Sequence, residues 1–346
     1  MEKHIMKKYN KLTKIGVSAL CGSLASVSAA QAGALSATGG ATATWSSNEG
    51  TTTGNPIGLS SGILFTGTGE LDNGTTFTLT LSQTDQSAYS AGSIALVTPG
   101  LGTFTIDQGA GGTGIDRYDD MIPTAWEETN GTSLGTGLQT VGGSSGSANV
   151  EWNVGSDMLP EGLSVALSAT PKQTGLGAND KASKSGGDGL GGGWDVAVAH
   201  SGLYDGLNVF AGHSNLAQEK SAALNGGNRT QYVLGATYAV GGATFGYQVS
   251  RDNMQNEAAG AKSAYDNEAY GVSFSVNDDL SISYGRHKST AENNGAVNVT
   301  NEAESLQLSY TIGGASIKFA ENSADNAKYA AGTDREGRTI ALSLAF

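Results

Sequence analysis

The chain has 346 residues, with 19 Lys and Arg against 32 Asp and Glu, a net charge of −13 and a mean hydropathy of −0.21. That acidic balance argues against nucleic acid as a partner, and a single cysteine, Cys21, excludes a disulfide framework. Past residue 32 no stretch is apolar enough to cross a bilayer as a helix. A barrel of alternating strands would keep its mean hydropathy near that of a soluble protein all the same.

Residues 1–32 have the pattern of a cleaved secretory signal peptide. Lys3, Lys7, Lys8, Lys11 and Lys14 precede an apolar stretch from Ile15 to Val27, and Ala30-Gln31-Ala32 supplies small residues at a cleavage site. Leu20 stands where a lipoprotein signal around Cys21 would want a small residue. The expected mature domain is 33–346, and without the leader its charge falls to −17 (14 basic against 31 acidic residues). Such a balance favours cationic partners or solutes.

From Leu35 onward, short segments alternate with period two and lack helical faces. They include Leu35 to Trp45, Thr76 to Leu81, Leu163 to Leu167, Tyr232 to Tyr238, Ala243 to Val249, Tyr270 to Val276, Leu280 to Tyr284, Leu306 to Ile312 and Ala315 to Phe319. The residues between the apolar ones are mostly Ser, Thr, Gly, Gln and Asn. Tight turns are signalled at Asp72-Asn73-Gly74, Pro99 to Gly102, Tyr204-Asp205-Gly206, Gly241-Gly242, Asn277-Asp278-Asp279 and Gly313-Gly314. Between them lie eight longer polar stretches, at 46–61, 85–91, 108–145, 171–192, 215–228, 252–266, 290–300 and 324–336. The alternation predicts an all-β chain: a transmembrane antiparallel β-barrel of about 16 strands in one domain, with short periplasmic turns and long extracellular loops. It would close between the Leu35 and Arg338 segments.

The third long stretch is the richest in chemistry. Its middle carries Asp116, Arg117, Asp119, Asp120, Glu127 and Glu128 among Ile115, Met121, Ile122 and Trp126. Apolar residues of this kind would pin the loop to an inner wall while Asp119, Asp120, Glu127 and Glu128 face water. Carboxylates in a narrow passage concentrate cations and repel anions. Lys318 is the one clear base at lumen parity, with Arg229, Arg251, Arg286, Arg335 and Arg338 placed near strand ends or loops. Asp116, Asp119, Asp120, Glu127 and Glu128 are also dense enough to suggest a structural Ca2+, although no EF-hand spacing accompanies them and no cofactor is required.

The chain ends on Ile340, Leu342, Leu344 and Phe346 at alternate positions. A terminal aromatic preceded by alternating apolar residues resembles the assembly signal of outer-membrane barrels. Together with the leader, the tight turns and the acidic third loop, it resembles the Gram-negative general diffusion porins, the alphaproteobacterial type in particular. The resemblance implies a third loop folded into the lumen and a homotrimer in the outer membrane. It also implies contact with outer-membrane lipid, lipopolysaccharide and the barrel-assembly machinery, and passive diffusion of small hydrophilic solutes, here with cation preference. Two other classes were weighed. A secreted Gly-rich β-structured surface protein or adhesin would also alternate. An enzyme would need a converging triad, and His200, His213 and His287 come with no Gly-x-Ser-x-Gly nucleophile motif. Asp188 to Gly193 has neither the lysine nor the following helix of a phosphate loop.

Overall fold

A computed structural model describes residues 33–50, 54–85, 90–129, 134–146, 148–173, 190–218 and 227–345. The expected leader with Cys21, the terminal Phe346 and the first part of Asp188–Gly193 lie outside the described residues. Sixteen strands follow in chain order. They are β1 (Leu35–Glu49), β2 (Ile57–Glu70), β3 (Thr76–Thr84), β4 (Ala91–Thr98), β5 (Gly102–Gln108), β6 (Asn149–Val154), β7 (Leu163–Thr170) and β8 (Leu190–Ser201). The second half is β9 (Leu207–Gln218), β10 (Arg229–Val240), β11 (Ala243–Asn253), β12 (Lys262–Ser275), β13 (Leu280–Asn293), β14 (Val299–Ile312), β15 (Ala315–Asp325) and β16 (Arg335–Ala345).

Each strand pairs antiparallel with its sequence neighbours, and β16 returns to β1, so the sheet is a closed barrel without edges. The seam is in register from Gly40 opposite Ala345 to Glu49 opposite Glu336. On its inner side Thr42 and Ser343 hydroxyls meet at 2.9 Å, and those of Ser46 and Thr339 at 3.1 Å. Closure falls where the alternation predicted it. Strands run further than the sequence pattern suggested at the first long stretch, which shrinks from 46–61 to the segment between Glu49 and Ile57.

Period-two alternation sorts the side chains. Leu59, Leu234, Leu306, Ile317, Ile340 and Leu344 stand exposed on the outside, while Gln231, Gln248, Ser283, Gln307 and Thr339 are buried inside. The interior, expected to be mostly small and polar, includes an apolar sector. Ala166, Ala197, Phe210 and Val233, on β7 to β10, point inward and form an apolar patch beneath the third loop.

The basic residues also divide by parity. Arg251 (to Asp266 and Glu292), Arg286 (to Glu302) and Arg338 (to Glu321) make outward ion pairs near the long-loop ends. Arg229 points inward and grips the buried Asp252 with two nitrogens, and Arg335 points inward to the third loop. Lys318 keeps its inward place but is therefore not the only base there. His200 and His213 do not face one another. His200 pairs with Val209 at the short-turn end, and His213 lies against Trp194 at the other.

Candidate functional site

The β5–β6 connection, hereafter L3, lies inside the barrel, and its path can be followed from one wall residue to the next. At its root, Glu151 on β6 accepts the Gly114 N–H at 2.6 Å. Asp195 on β8 accepts the Ile115 N–H at 3.3 Å and both the N–H and hydroxyl of Ser144, at 2.9 and 2.8 Å. Both carboxylates are almost fully buried. Buried backbone donors need such partners, because an unmade bond there costs about 1–3 kcal/mol. Gly114 and Gly143 take positive φ (59° and 52°), and a Cβ on either would stand within 2.4 Å of the Asp195 carboxylate.

Further along, carboxamides take over. Gln248 accepts the Met121 N–H at 3.0 Å and donates to the carbonyls of Tyr118 and Asp119 at 2.9 and 3.0 Å. Ser283 accepts the Ala125 N–H at 2.8 Å. Gln307 accepts the N–H groups of Trp126 and Glu127 and donates to the Glu127 carbonyl. Gln231 accepts from Gly142 and Gly143 on the returning arm.

Apolar contacts run beside these bonds. Ile115, Tyr118 and Val141 pack into the inward patch of β7 to β10, with the Tyr118 ring centre 4.9 Å from that of Phe210. Burying a side chain such as Ile115 contributes about 1.5–3 kcal/mol. L3 then lies along a track of inward glycines. A Cβ on Gly246 would meet Pro123 at 2.3 Å, on Gly271 Ile122 at 2.4 Å, on Gly285 Thr129 at 2.3 Å and on Gly337 Leu134 at 2.5 Å. Side chains at those positions would push the loop off the wall. Ile115, Met121, Ile122 and Trp126 therefore do line the loop's wall side, joined by Leu134 and Val141.

The acidic residues separate into two kinds. Asp119 is half-buried and accepts the Asp120 N–H at 2.7 Å. Burial pushes its pKa up to about 6, with the charges of Asp116, Glu128 and Asp120 adding to the rise. Glu127 is half-buried and takes a bond from Asn322 at 2.8 Å; Glu128 is exposed. Asp120, expected beside them, is turned into the loop instead. It accepts the Ile122 N–H at 3.0 Å, and burial raises its pKa. Asp116 accepts the Gly112 N–H and the Ser145 hydroxyl, joining the two arms of L3. Arg117 is likewise a fastener, bound to Glu151 at 2.5 Å and to the Gly114 carbonyl at 3.0 Å. Lys318 holds its Nζ 5.9 Å from the Trp126 ring centre.

Of the five carboxylates that suggested a Ca2+ site, Asp116 accepts two L3 bonds through Oδ2 and Asp120 accepts one through Oδ1. Among the described residues no three His, Cys, Asp or Glu side chains gather as metal ligands.

All the wall bonds named above go to β6, β8, β10, β11, β13, β14 and β15. Across the lumen, Ala91 and Asp107 are buried, and the other inward residues of β1 to β5 stay wholly or partly exposed. They are mainly hydroxyls, such as Thr38, Ser60, Thr66, Thr80, Thr103 and Thr105. No lysine or arginine occurs between Gly33 and Asp116. The open side of the barrel thus has L3 on one flank and, on the other, a wall rich in hydroxyls and without lysine or arginine.

No family model and no curated protein matches this chain. Solved structures do. OmpF of Salmonella typhi, in complex with daunomycin, aligns with a TM-score of 0.64 at 15% identity, over 91% of this chain and 98% of that one. The anion-selective porin of Comamonas acidovorans aligns at 0.65 and 14%, over 90% and 99%. A mutant of the Rh. blastica porin aligns at 0.57 and 15%, over 90% and 100%. The fold is that of the Gram-negative general porins. At such low identity the porin fold survives through alternation and closure, and few individual residues are shared.

Proposed function

We propose that the chain is an outer-membrane porin, a water-filled channel for passive diffusion of small hydrophilic solutes with a preference for cations. The observation that carries the proposal is the one-sided charge of the lumen. Asp119, Glu127 and Glu128 on L3 face a wall from β1 to β5 with no base to offset them. Carboxylates in a passage walled by low-dielectric protein raise the local cation concentration. The outward apolar side chains suit lipid, and Ile340, Leu342 and Leu344 alternate outward as an assembly signal would.

Export through residues 1–32, surrounding lipopolysaccharide and a homotrimer belong to the same proposal. One feature favours self-association. β4 to β7 have only 8, 7, 6 and 8 residues, short of the roughly 9–11 that a bilayer-spanning strand needs, so neighbouring copies would cover that low wall.

The test is the reversal potential of the purified protein in planar bilayers under a KCl gradient. A potential of cation-selective sign is expected, and one of anion-selective sign overturns the preference. Failure to conduct at all, with the protein washing off membranes without detergent, would instead favour the secreted surface protein.

A further inference from the structure

The returning arm of L3 is held from a second direction. The β15–β16 connection, residues 326–334, bends inward over it. Arg335, at the foot of β16, donates to the carbonyls of Leu134 and Gly135, both at 2.6 Å. The Lys328 N–H donates to the Thr136 carbonyl at 2.7 Å, and Asn301 on β14 donates to the same oxygen at 2.9 Å. The Tyr329 hydroxyl accepts the Gln139 N–H at 2.9 Å and shares a 2.7 Å bond with Ser289 on β13. Leu134 itself is buried against Ala303 and Ala324.

This short loop holds a costly shape. Asn326, Lys328 and Tyr329 all have left-handed backbones, at φ of 52°, 56° and 59°. Asn tolerates that region, but Lys and Tyr adopt it only at a cost in backbone strain. The surroundings over-determine the bend. Asn326 accepts the Gly332 N–H and donates to the Thr300 carbonyl, while Asp334 accepts the Asn326 N–H. Tyr329 is buried against Tyr265 and Ala291, and the Lys262 ammonium lies 4.4 Å from its ring centre. Burial pushes the Tyr329 hydroxyl up to about 12, so it stays protonated at every working pH. None of these contacts is needed to close the barrel, since β15 and β16 are already paired from Ala315 to Arg335.

We propose that Lys328, Tyr329 and Arg335 form a clasp that positions the returning arm of L3, and that the clasp sets how readily the channel closes under voltage. L3 is firmly bonded at its root and along its forward arm. The segment from Leu134 to Gln139 depends on the clasp together with Asn301, so its release would let the arm swing into the open side of the lumen. The three are positioning residues: they act on the ion path only through L3.

The proposal rests on the channel reading, and the experiment separates the two. Full mature parent, Tyr329→Phe and Arg335→Gln are compared in planar bilayers, with folding of each checked by heat-modifiable gel migration. Both variants are expected to close several-fold faster than the parent at a fixed voltage, with noisier open states, and Tyr329→Phe, which keeps every charge, with an unchanged reversal potential. A second pair guards against misfolding. An ideal Cβ on Gly137 would lie 3.6 Å from the Lys328 Cβ, within the roughly 3.5–4.5 Å that a disulfide spans. Gly137→Cys with Lys328→Cys, in the mature chain that carries no other cysteine, should resist closure when oxidised and regain it on reduction. If the parent conducts and all variants close as it does, oxidised or reduced, the clasp is refuted. If the parent forms no channels, the channel reading itself fails.

Discussion

Gln307 and Glu127 are bound in both directions. The Gln307 side chain accepts the Glu127 N–H at 3.1 Å and donates to the Glu127 carbonyl at 2.7 Å, from a strand 180 residues further along the chain. Gln307→Leu keeps the volume and removes its three bonds to L3 and the one to Ser305, leaving two backbone N–H groups without their acceptor. Each costs about 1–3 kcal/mol if it stays dry. Single-channel recordings should show a larger conductance as the mid-loop lifts, and thermal unfolding should begin at lower temperature.

The division of carboxylates predicts unequal effects on selectivity. Glu127→Gln with Glu128→Gln should lower the cation-to-anion permeability ratio several-fold, read from reversal potentials. Asp120→Asn should leave the ratio near the parent value, because that side chain is buried against the N–H groups of Ile122 and Thr129.

Asp119 makes the preference pH-dependent. Its folded pKa is pushed up to about 6, above the ordinary aspartate value of 3.8. Protonation removes one lumen carboxylate as pH falls through 6, so the permeability ratio should drop there. Asp119→Asn should abolish that step. The stability effect has the opposite sense. The folded form binds the proton more tightly than the unfolded form, so the contribution is full below about 3.8 and is lost as pH rises through about 6.

The glycine track predicts steric displacement. Gly271→Val would drive a branched side chain into the space of Ile122, which a Cβ alone already approaches to 2.4 Å. Overpacking of this kind costs about 1–3 kcal/mol. The barrel should still form, because Gly271 keeps its pairing with Gly246 and Gly285. Conductance and closure should change while heat-modifiable migration does not.

Much of the barrel is legible in the sequence because a strand that faces oil on one side and water on the other must alternate. Leu306, Leu308 and Tyr310 announce their face without any knowledge of their neighbours. The folding-in of L3 is legible for a related reason, since Ile115 and Ile122 have no place in a solvated acidic loop. The holders of that loop are a different matter. Gln231, Gln248 and Gln307 occupy the same parity as any residue wetted by the lumen, and only the path of L3 distinguishes them. Gly246, Gly271 and Gly285 read as flexibility and serve as clearance. In irregular backbone there is no period to say that Asp120 turns inward to the peptide while Asp119 does not. Arg229 was placed near a strand end from sequence, and its inward direction follows from its register opposite Leu216.

The anchorage of L3 and the bare hydroxyl wall occupy different arcs of the same cylinder. Substituents added at Thr66 or Thr80 would enter the solute's route without touching a single fastening of the loop. The molecule therefore offers a base-free canvas for rewriting ion preference, in which a lysine introduced on that arc should shift the channel toward anions while its gate, seat and rim stay as they are.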